Sequence, residues 1–479
     1  MTKKKIMIII STLFSILVLA GCSWFTGEKD LLDPKKPTTI TIWHYYNGQI
    51  KDKFDALVAE FNETIGMQRG IVVDAQSHSD VQQLANAVFD AANKTLGAHP
   101  MPDIFAAYPE NAYRVNQIVE LVELESYFTE TELQSFRQDF LEEGRFTEDD
   151  KIKIIPIAKS TENLYLNKTD WEVFANATGA NLNDLRTWEG IVATAQRYYE
   201  YSGKGFMGID ATANYMLLTA IQLSNINDDK NFYNSKTNTI NFNQVVAKTI
   251  WDHYYIPYIE GYFVKTGRFS SDDARTGTVL AYTGSSAGAA YFPKEITISQ
   301  QEIHPVDSLV LPYPHFQSGI PYAIQQGAGM CITKSDKAHE YAAALFLKWF
   351  TEPEQNVEFA VTTAYFPVKN DALKEEVILR ALEGTEVANE AIKGSINTTM
   401  KMLDTHTFFS NKPFEGSYEI RVLLENHLNQ RIKNDLEALQ KREQKGEDRK
   451  LIINSLSSEE QFQSWYKQFM MEANSIFTR

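Results

Sequence analysis

The pentapeptide Gly284-Ser285-Ser286-Ala287-Gly288 satisfies G-x-S-x-G, the pattern of a nucleophilic serine on a strand-to-helix turn. A strand-like stretch precedes it and small residues suited to a helix start follow it. Asp307, followed by His315, His406 or His427, supplies the order of acid and base that such a serine requires. The same residues suit a second chemistry, in which hydroxyls and backbone N–H groups at a helix start grip a ligand oxygen without breaking a bond. Gripping is the favoured reading, with a serine esterase using Ser286 as the alternative. Gly203, Gly205 and Gly208 satisfy G-x-G-x-x-G, but helix-like residues precede them and strand-like residues follow. A dinucleotide fingerprint needs the reverse order, so these glycines read as a loop.

Metal chemistry has little support. The nine histidines include no pair four residues apart, and two cysteines, Cys22 and Cys331, cannot build a four-thiolate zinc site. Residues 225–229 resemble the start of a calcium loop, but Lys230 stands where glycine is needed and Lys236 where glutamate should close it. No metal or cofactor is expected.

The aromatic residues are more informative. Trp43, His44, Tyr45, Tyr46 and Tyr108 gather at the ends of predicted strands. A ring with a polar rim can cover the apolar face of a sugar and offer it a hydrogen bond. The elements that position these rings follow from periodicity. Residues 38–43 alternate as a strand, residues 49–64 carry Phe54, Leu57, Val58 and Phe61 at helical spacing, and residues 71–73 form a second strand. A helix bearing Leu84, Val88, Ala91 and Ala92 and a strand at 103–107 complete a βαβαβ order, which implies a mostly parallel sheet. Ligands of such sheets bind beyond the carboxyl ends of the strands, here near 43–46 and 108–111.

Further strands are expected at 152–157, 163–166, 278–282, 309–311 and 329–333, and long helices at 188–199, 215–223, 245–262, 335–350, 419–445 and 458–477. Trp171, Trp188, Trp251, Trp349 and Trp465 fall in helix patterns and read as core. The 479 residues, 43% hydrophobic and 23% charged, are those of a globular chain of more than one domain. Acidic side chains outnumber basic ones, 62 to 46, and the net charge of −16 argues against nucleic-acid binding.

Three lysines at 3–5, an uncharged run at 6–20 and then Gly21-Cys22 make a secretory leader, shorter than the ~20 residues of a membrane span. Leu19-Ala20-Gly21-Cys22 resembles a bacterial lipobox, in which Cys22 carries a diacylglyceryl group and becomes the new N-terminus. Residues 1–21 are then a lipoprotein signal peptide, and residues 22–37 a tether. Losing Lys3, Lys4 and Lys5 takes the charge from −16 to −19. The expected location is outside the cytoplasm, anchored to the membrane by lipid on Cys22, with the body extracellular or periplasmic.

Six stretches in order carry a family resemblance: ITIWHYYNG at 40–48, MPDIFAAY at 101–108, IPIAKSTENLYLNKT at 155–169, TWEGIVATAQRY at 187–198, VLAYTGSSAG at 279–288, and the run from GAGMCITKSDKAHEYAAALFLKWF to AVTTAYFPV at 327–368. Together they resemble the family 1 extracellular solute-binding proteins of ABC importers, over nearly the whole mature chain. The resemblance implies an α/β, two-lobe periplasmic-binding-protein fold (type II-like), with discontinuous lobes around a central ligand cleft. It places lobe 1 at 38–157 plus 278–326, lobe 2 at 158–277 plus 327–479, and chain crossings near 157–160, 275–279 and 324–329. It implies hinge closure around a carbohydrate, whether sugar, oligosaccharide or glycerol-3-phosphate-like polyol, without catalysis. The implied partners are that ligand and ABC permease subunits, and the implied state is a monomer.

Within the family the chain is most similar to the sn-glycerol-3-phosphate and glycerophosphodiester binders. Their Tyr/Glu element matches Tyr108 with Glu110, their first-crossing serine Ser160, and their small-residue-turn serine Ser285 or Ser286. Their third-crossing glycine matches Gly327 or Gly329, and their phosphate-pairing arginine Arg421. Their later tyrosine matches Tyr365, although Ala364 replaces the usual glycine before it. With the strand-end aromatics and neighbours, the expected ligand-binding set is Trp43, His44, Tyr108, Glu110, Asn111, Ser160, Thr161, Glu162, Ser285, Ser286, Gly327, Tyr365 and Arg421.

Overall fold

Alternating residues in Thr38–His44 (β1) turn Ile40 and Ile42 into the interior, and the next helix, Gly48–Phe61 (α1), packs Phe54, Leu57 and Phe61 over them. Ile71–Ser77 (β2) pairs in parallel with β1. Val81–Ala92 (α2) starts at Asp80, whose carboxylate accepts the Gln83 N–H at 2.8 Å. Ile104–Ala107 (β3) is buried throughout, and Pro109 at the first helical position begins Pro109–Asn116 (α3). Further along the chain come Gln138–Glu142 (α4), Glu162–Asn167 (β4), Met207–Ile209 (β5), Thr212–Leu223 (α5), Ala281–Ser285 (β6), Ser308–Pro312 (β7) and Gly329–Ile332 (β8). After them come Lys337–Phe350 (α6), Pro353–Thr363 (α7), Glu390–Thr405 (α8), Ser417–Glu443 (α9) and Glu459–Ile476 (α10). The computed structural model describes residues 31–223, 232–234, 237–299, 302–385 and 389–477. The leader at 1–21, the lipidation site Cys22 and most of the calcium-loop-like stretch lie outside the described residues.

Two sheets organise two lobes. The first has the order β8-β3-β1-β2, with β1 parallel to both neighbours and β8 antiparallel to β3. The second has the order β7-β4-β6-β5, with β4 antiparallel to β7 and β6, and β5 parallel to β6. Under the first sheet, Phe54, Phe61, Phe346, Phe350 and Phe359 from α1, α6 and α7 form a tilted and edge-on ring cluster. The second lobe buries Trp188, Trp251 and Trp465, and α9 and α10 close over it with Leu424, Leu428 and Phe469. Trp171 is likewise buried and Trp349 half-buried, as their helix patterns predict.

The pairing corrects the expected partition. Strands β6 and β7, within 278–326, belong to the second sheet, and β8 with α6 and α7 packs with the first, so those segments exchange lobes, whereas α9 and α10 stay with the second as expected. The 275–279 stretch is no crossing: Thr278 bonds back to Asp273, and Leu280 to Phe206, inside one lobe. The physical reason is that alternation marks a strand without naming its partner. Residues 31–37 also depart from a free tether. Leu32 is buried, and the Asp33–Pro34 backbone lies so close over Gly70 that a Cβ there would sit 2.4 Å from the Asp33 carbonyl. The strand expected at 152–157 is reduced to isolated bridges, Arg145 with Ile152 and Ile155 with Met330.

The crossings at 157–160 and 324–329 do exist and run antiparallel, side by side. Ile155 exchanges backbone hydrogen bonds with Met330 at 2.9 and 2.8 Å, and Ser160 with Gln326 at 2.9 and 2.8 Å. Gly327 permits the approach: its φ is +87°, and a Cβ would sit 2.5 Å from the Ala158 carbonyl. Beneath them Lys159, fully buried, donates its ammonium to Glu143 just past α4 and to the Gly327 carbonyl at 2.9 Å. The other Glu143 oxygen accepts from Gln325 at 2.7 Å. Burial pushes the Lys159 ammonium below its ordinary pKa, and Glu143 opposes that shift.

Replacing one partner strands the other charge in the interior. Lys159→Met is expected to cost about 3–5 kcal/mol in urea unfolding, and adding Glu143→Leu should recover much of the loss.

Candidate functional site

A cavity of about 260 Å³ lies between the lobes, where the carboxyl end of β3 faces the first turns of α9. Its first-lobe wall includes Gln82 and Leu84 of α2 with Tyr108, Glu110 and Asn111, and its second-lobe wall includes Ala213, Tyr418, Arg421, Val422 and Glu425. Tyr108 is the last extended residue before Pro109 turns the chain into α3, so Glu110 occupies the first helical turn. On α9, Tyr418, Arg421, Val422 and Glu425 recur at helical spacing and share one face.

Arg421 joins the two walls. Its Nε lies 3.2 Å from Glu110 Oε1 in the opposite lobe, and its Nη2 donates to Asn214 Oδ1 at 3.0 Å. Asn214 Nδ2 donates to Glu162 Oε1 at 2.8 Å, and Gln326 Nε2 donates to the same oxygen at 3.0 Å. Burial lifts the Glu162 carboxyl to a pKa of about 7; Asn214 and Arg421 pull it down, while Asp210 and Glu425 push it up. Glu425 accepts the Ala213 N–H at 2.9 Å. Arg114 lies 3.6 Å over the Tyr418 ring, and its Nε donates to Asn111 Oδ1 at 2.7 Å. Further contacts bridge the lobes: Gln82 donates to the Tyr418 hydroxyl, and Arg268 pairs with Asp80 at 2.7 Å.

Of the expected residues, Tyr108, Glu110, Asn111 and Arg421 line this cavity, and Glu162 reaches it through Asn214. Ser160, Thr161 and Gly327 lie in the crossings, where the Tyr108 hydroxyl, its pKa pushed up by burial to about 12, accepts the Gly327 N–H at 3.3 Å. Tyr365 stands behind them, its hydroxyl 3.4 Å from that of Tyr45, which accepts the Ala328 N–H at 3.3 Å. Ser285 ends β6, and its carbonyl accepts from the Tyr165 hydroxyl at 2.9 Å.

Trp43 and His44 depart from expectation, since both are buried in the first lobe, outside the cavity wall. Trp43 donates to Gln76 at 3.1 Å with its ring 4.6 Å from His78. His44 accepts the Tyr46 N–H at 3.1 Å against the Phe54 ring, and burial pushes its pKa down to about 4. Periodicity places both at a strand end but does not say that β2 and α1 cover them. The cavity wall adds Gln82, Tyr418 and Glu425 to the expected set, and Asn214 stands behind Arg421. Tyr418 and Glu425 could have been found from Arg421 by helical spacing, whereas Gln82 and Asn214 carry no local signal.

The esterase alternative does not survive the geometry. The Ser286 hydroxyl is fully buried and accepts the Thr161 N–H at 3.2 Å. Each candidate histidine is engaged elsewhere: His315 at the Phe316 carbonyl, His406 at Thr405, and His427 accepting from Trp465. Among the described residues no cluster of three His, Cys, Asp or Glu side chains is arranged to hold a metal ion, and no helix is long and apolar enough to cross a membrane.

Ser286→Ala should cost about 1–3 kcal/mol by leaving the Thr161 N–H unpaired. It should leave p-nitrophenyl ester turnover at the uncatalysed background, as in the unaltered protein. His44 should be seen by NMR to protonate near pH 4. Because its folded pKa is depressed, the stability it contributes is lost as pH falls from about 6.5 toward 4, a slope that His44→Phe removes in urea unfolding.

The sequence model of a family described as bacterial extracellular solute-binding protein matches residues 56–381. No curated protein sequence matches the chain significantly. Among solved structures, a cyclic alpha-maltosyl-1,6-maltose binding protein from Arthrobacter globiformis is 18% identical at a TM-score of 0.64, covering 92% of this chain and 99% of its own. UgpB from Mycobacterium tuberculosis, in complex with glycerophosphocholine, is 17% identical at 0.62, covering 85% and 99%. The maltose/maltodextrin-binding domain MalE from Bdellovibrio bacteriovorus, bound to maltotriose, is 14% identical at 0.63, covering 92% and 100%. At these identities the likeness is one of fold.

Proposed function

The chain belongs to the bacterial extracellular solute-binding proteins, and on that premise we propose that it captures a neutral oligosaccharide or related polyol by hinge closure and delivers it to the permease of an ABC importer. The observation that carries the choice of ligand is the state of Arg421. A guanidinium fork suits a phosphate dianion, but this one is already matched by Glu110 and held by Asn214, with Glu425 nearby on the same wall. A phosphate ester would have to displace Glu110 and approach carboxylates. A neutral polyol meets instead the rings of Tyr108 and Tyr418 and the amides of Gln82, Asn111 and Asn426, donors and acceptors matched to hydroxyls.

The position of the cavity supports closure, because a ligand there touches both lobes only when they are together, and so selects that state. The lipobox-like segment supports export and anchorage by lipid on Cys22. More than one acyl chain holds a protein durably, at ~0.8 kcal/mol per buried CH₂.

Thermal unfolding with maltotriose and with sn-glycerol 3-phosphate tests the ligand class. Maltotriose at about 100 times its Kd should add about 2.7 kcal/mol of native-state stability, and the phosphate ester should add none. A shift with the phosphate ester alone, abolished in Arg421→Ala, would overturn the neutral-ligand reading.

A further inference from the structure

Glu162 belongs to no wall of the cavity, yet it holds Asn214, which holds the residue that joins the walls. One oxygen accepts from Gln326 in a crossing and from Asn214 on α5; the other is buried without a hydrogen-bond partner. Asn214 turns its carbonyl to Arg421, and Arg421 reaches across to Glu110. An unbroken chain of contacts therefore runs from the crossing, through the second lobe, to the first.

We propose that Glu162 is a positioning residue whose ionisation fixes Arg421 for the interlobe contact, so that closure and ligand affinity depend on pH. An ionised carboxylate only accepts hydrogen bonds, so Asn214 must present its NH₂ to Glu162 and its carbonyl to the guanidinium. A protonated carboxyl can donate as well. The amide is then free to turn, and with its NH₂ toward Arg421 two donors would face each other. The guanidinium loses its brace, and the pair with Glu110 loosens.

The charged and titratable groups that act on Glu162 are Arg421 and Glu425 from α9 and Asp210 from the loop before α5, and Glu162 in turn acts on the Tyr313 hydroxyl after β7. Burial and the two acids outweigh the Asn214 hydrogen bond and the arginine and bring the carboxyl's titration to about pH 7. Its folded pKa is raised, so the carboxyl is neutral below that pH and ionised above it. The braced, closed form is therefore the high-pH form.

The test has two arms, of which only the second rests on the neutral-ligand reading. In the first, small-angle X-ray scattering of the purified protein without added ligand follows the radius of gyration from about pH 5.5 to 8.5. Wild type should contract through a midpoint near 7. Glu162→Gln, whose amide can donate at every pH, should keep the larger low-pH radius throughout. In the second, calorimetric titration with maltotriose should show wild-type affinity weakening by about fivefold from pH 8 to pH 6, approaching the limit of about tenfold that one pKa unit of difference between open and closed forms carries. Glu162→Gln should bind weakly and equally at both. A radius of gyration that is flat in wild type, or a step retained in Glu162→Gln, overturns the proposal. A step that is present while maltotriose fails to bind at either pH supports the proposal and counts against maltotriose as a ligand.

Discussion

A lysine ammonium with no access to water sits under the two crossings, and the relation of the lobes depends on how it is satisfied. Lys159 has Glu143 and the Gly327 carbonyl as partners, and Gln325 occupies the other oxygen of Glu143. An ammonium in the interior is tolerable only with such partners, so the two segments that supply them, around Glu143 and at 325–327, are held in one arrangement with Lys159. That arrangement puts the backbones of 155–160 and 326–330 within hydrogen-bond distance of each other. Gly327 admits the approach because it has no Cβ to collide with Ala158. The same residue donates its N–H to Tyr108, so the crossing and the floor of the cavity share one peptide.

Charge in the cavity differs in kind from charge on the whole chain. The excess of acids over bases is a property of the chain as a whole, and a net charge far from zero favours solubility. Inside the cleft the decisive fact is local: Arg421 is bracketed by Glu110, Asn214 and, through Asn214, Glu162. A bracketed guanidinium orders its surroundings more than it attracts an anion. It also links events at one wall to the other, since its partners belong to both lobes.

Much of the fold was legible along the chain. The alternation at 38–43 and the 3.6-residue spacing of Phe54, Leu57, Val58 and Phe61 announce β1 and α1, because each pattern reflects one face turned to a core. Helices α6, α9 and α10 were legible for the same reason. The partition of strands between lobes was not: β6, β7 and β8 carry apolar residues that would suit either sheet. The site divided similarly. Tyr108, Glu110 and Arg421 came from motifs that resemble a family and Asn111 from its place just past a strand end, and they meet at one cavity. Trp43 and His44 were placed by strand-end position alone and were drawn under α1 and β2, where Gln76 and Phe54 receive them.

The sequence by itself determined most of the element types and the acidic balance, because periodicity and composition are properties of neighbouring residues, while the family was legible only through the resemblance of its motifs. Tertiary structure alone decided that Ser286 is a buried structural hydroxyl, that Lys159 is a paired interior charge, and that Glu162 stands behind Asn214 rather than in the cavity. Each of those outcomes depends on contacts between separate elements: Ser286 with Thr161, Lys159 with Glu143 and Gly327, and Glu162 with Asn214. No local pattern encodes which distant group arrives to accept a hydrogen bond or to exclude water.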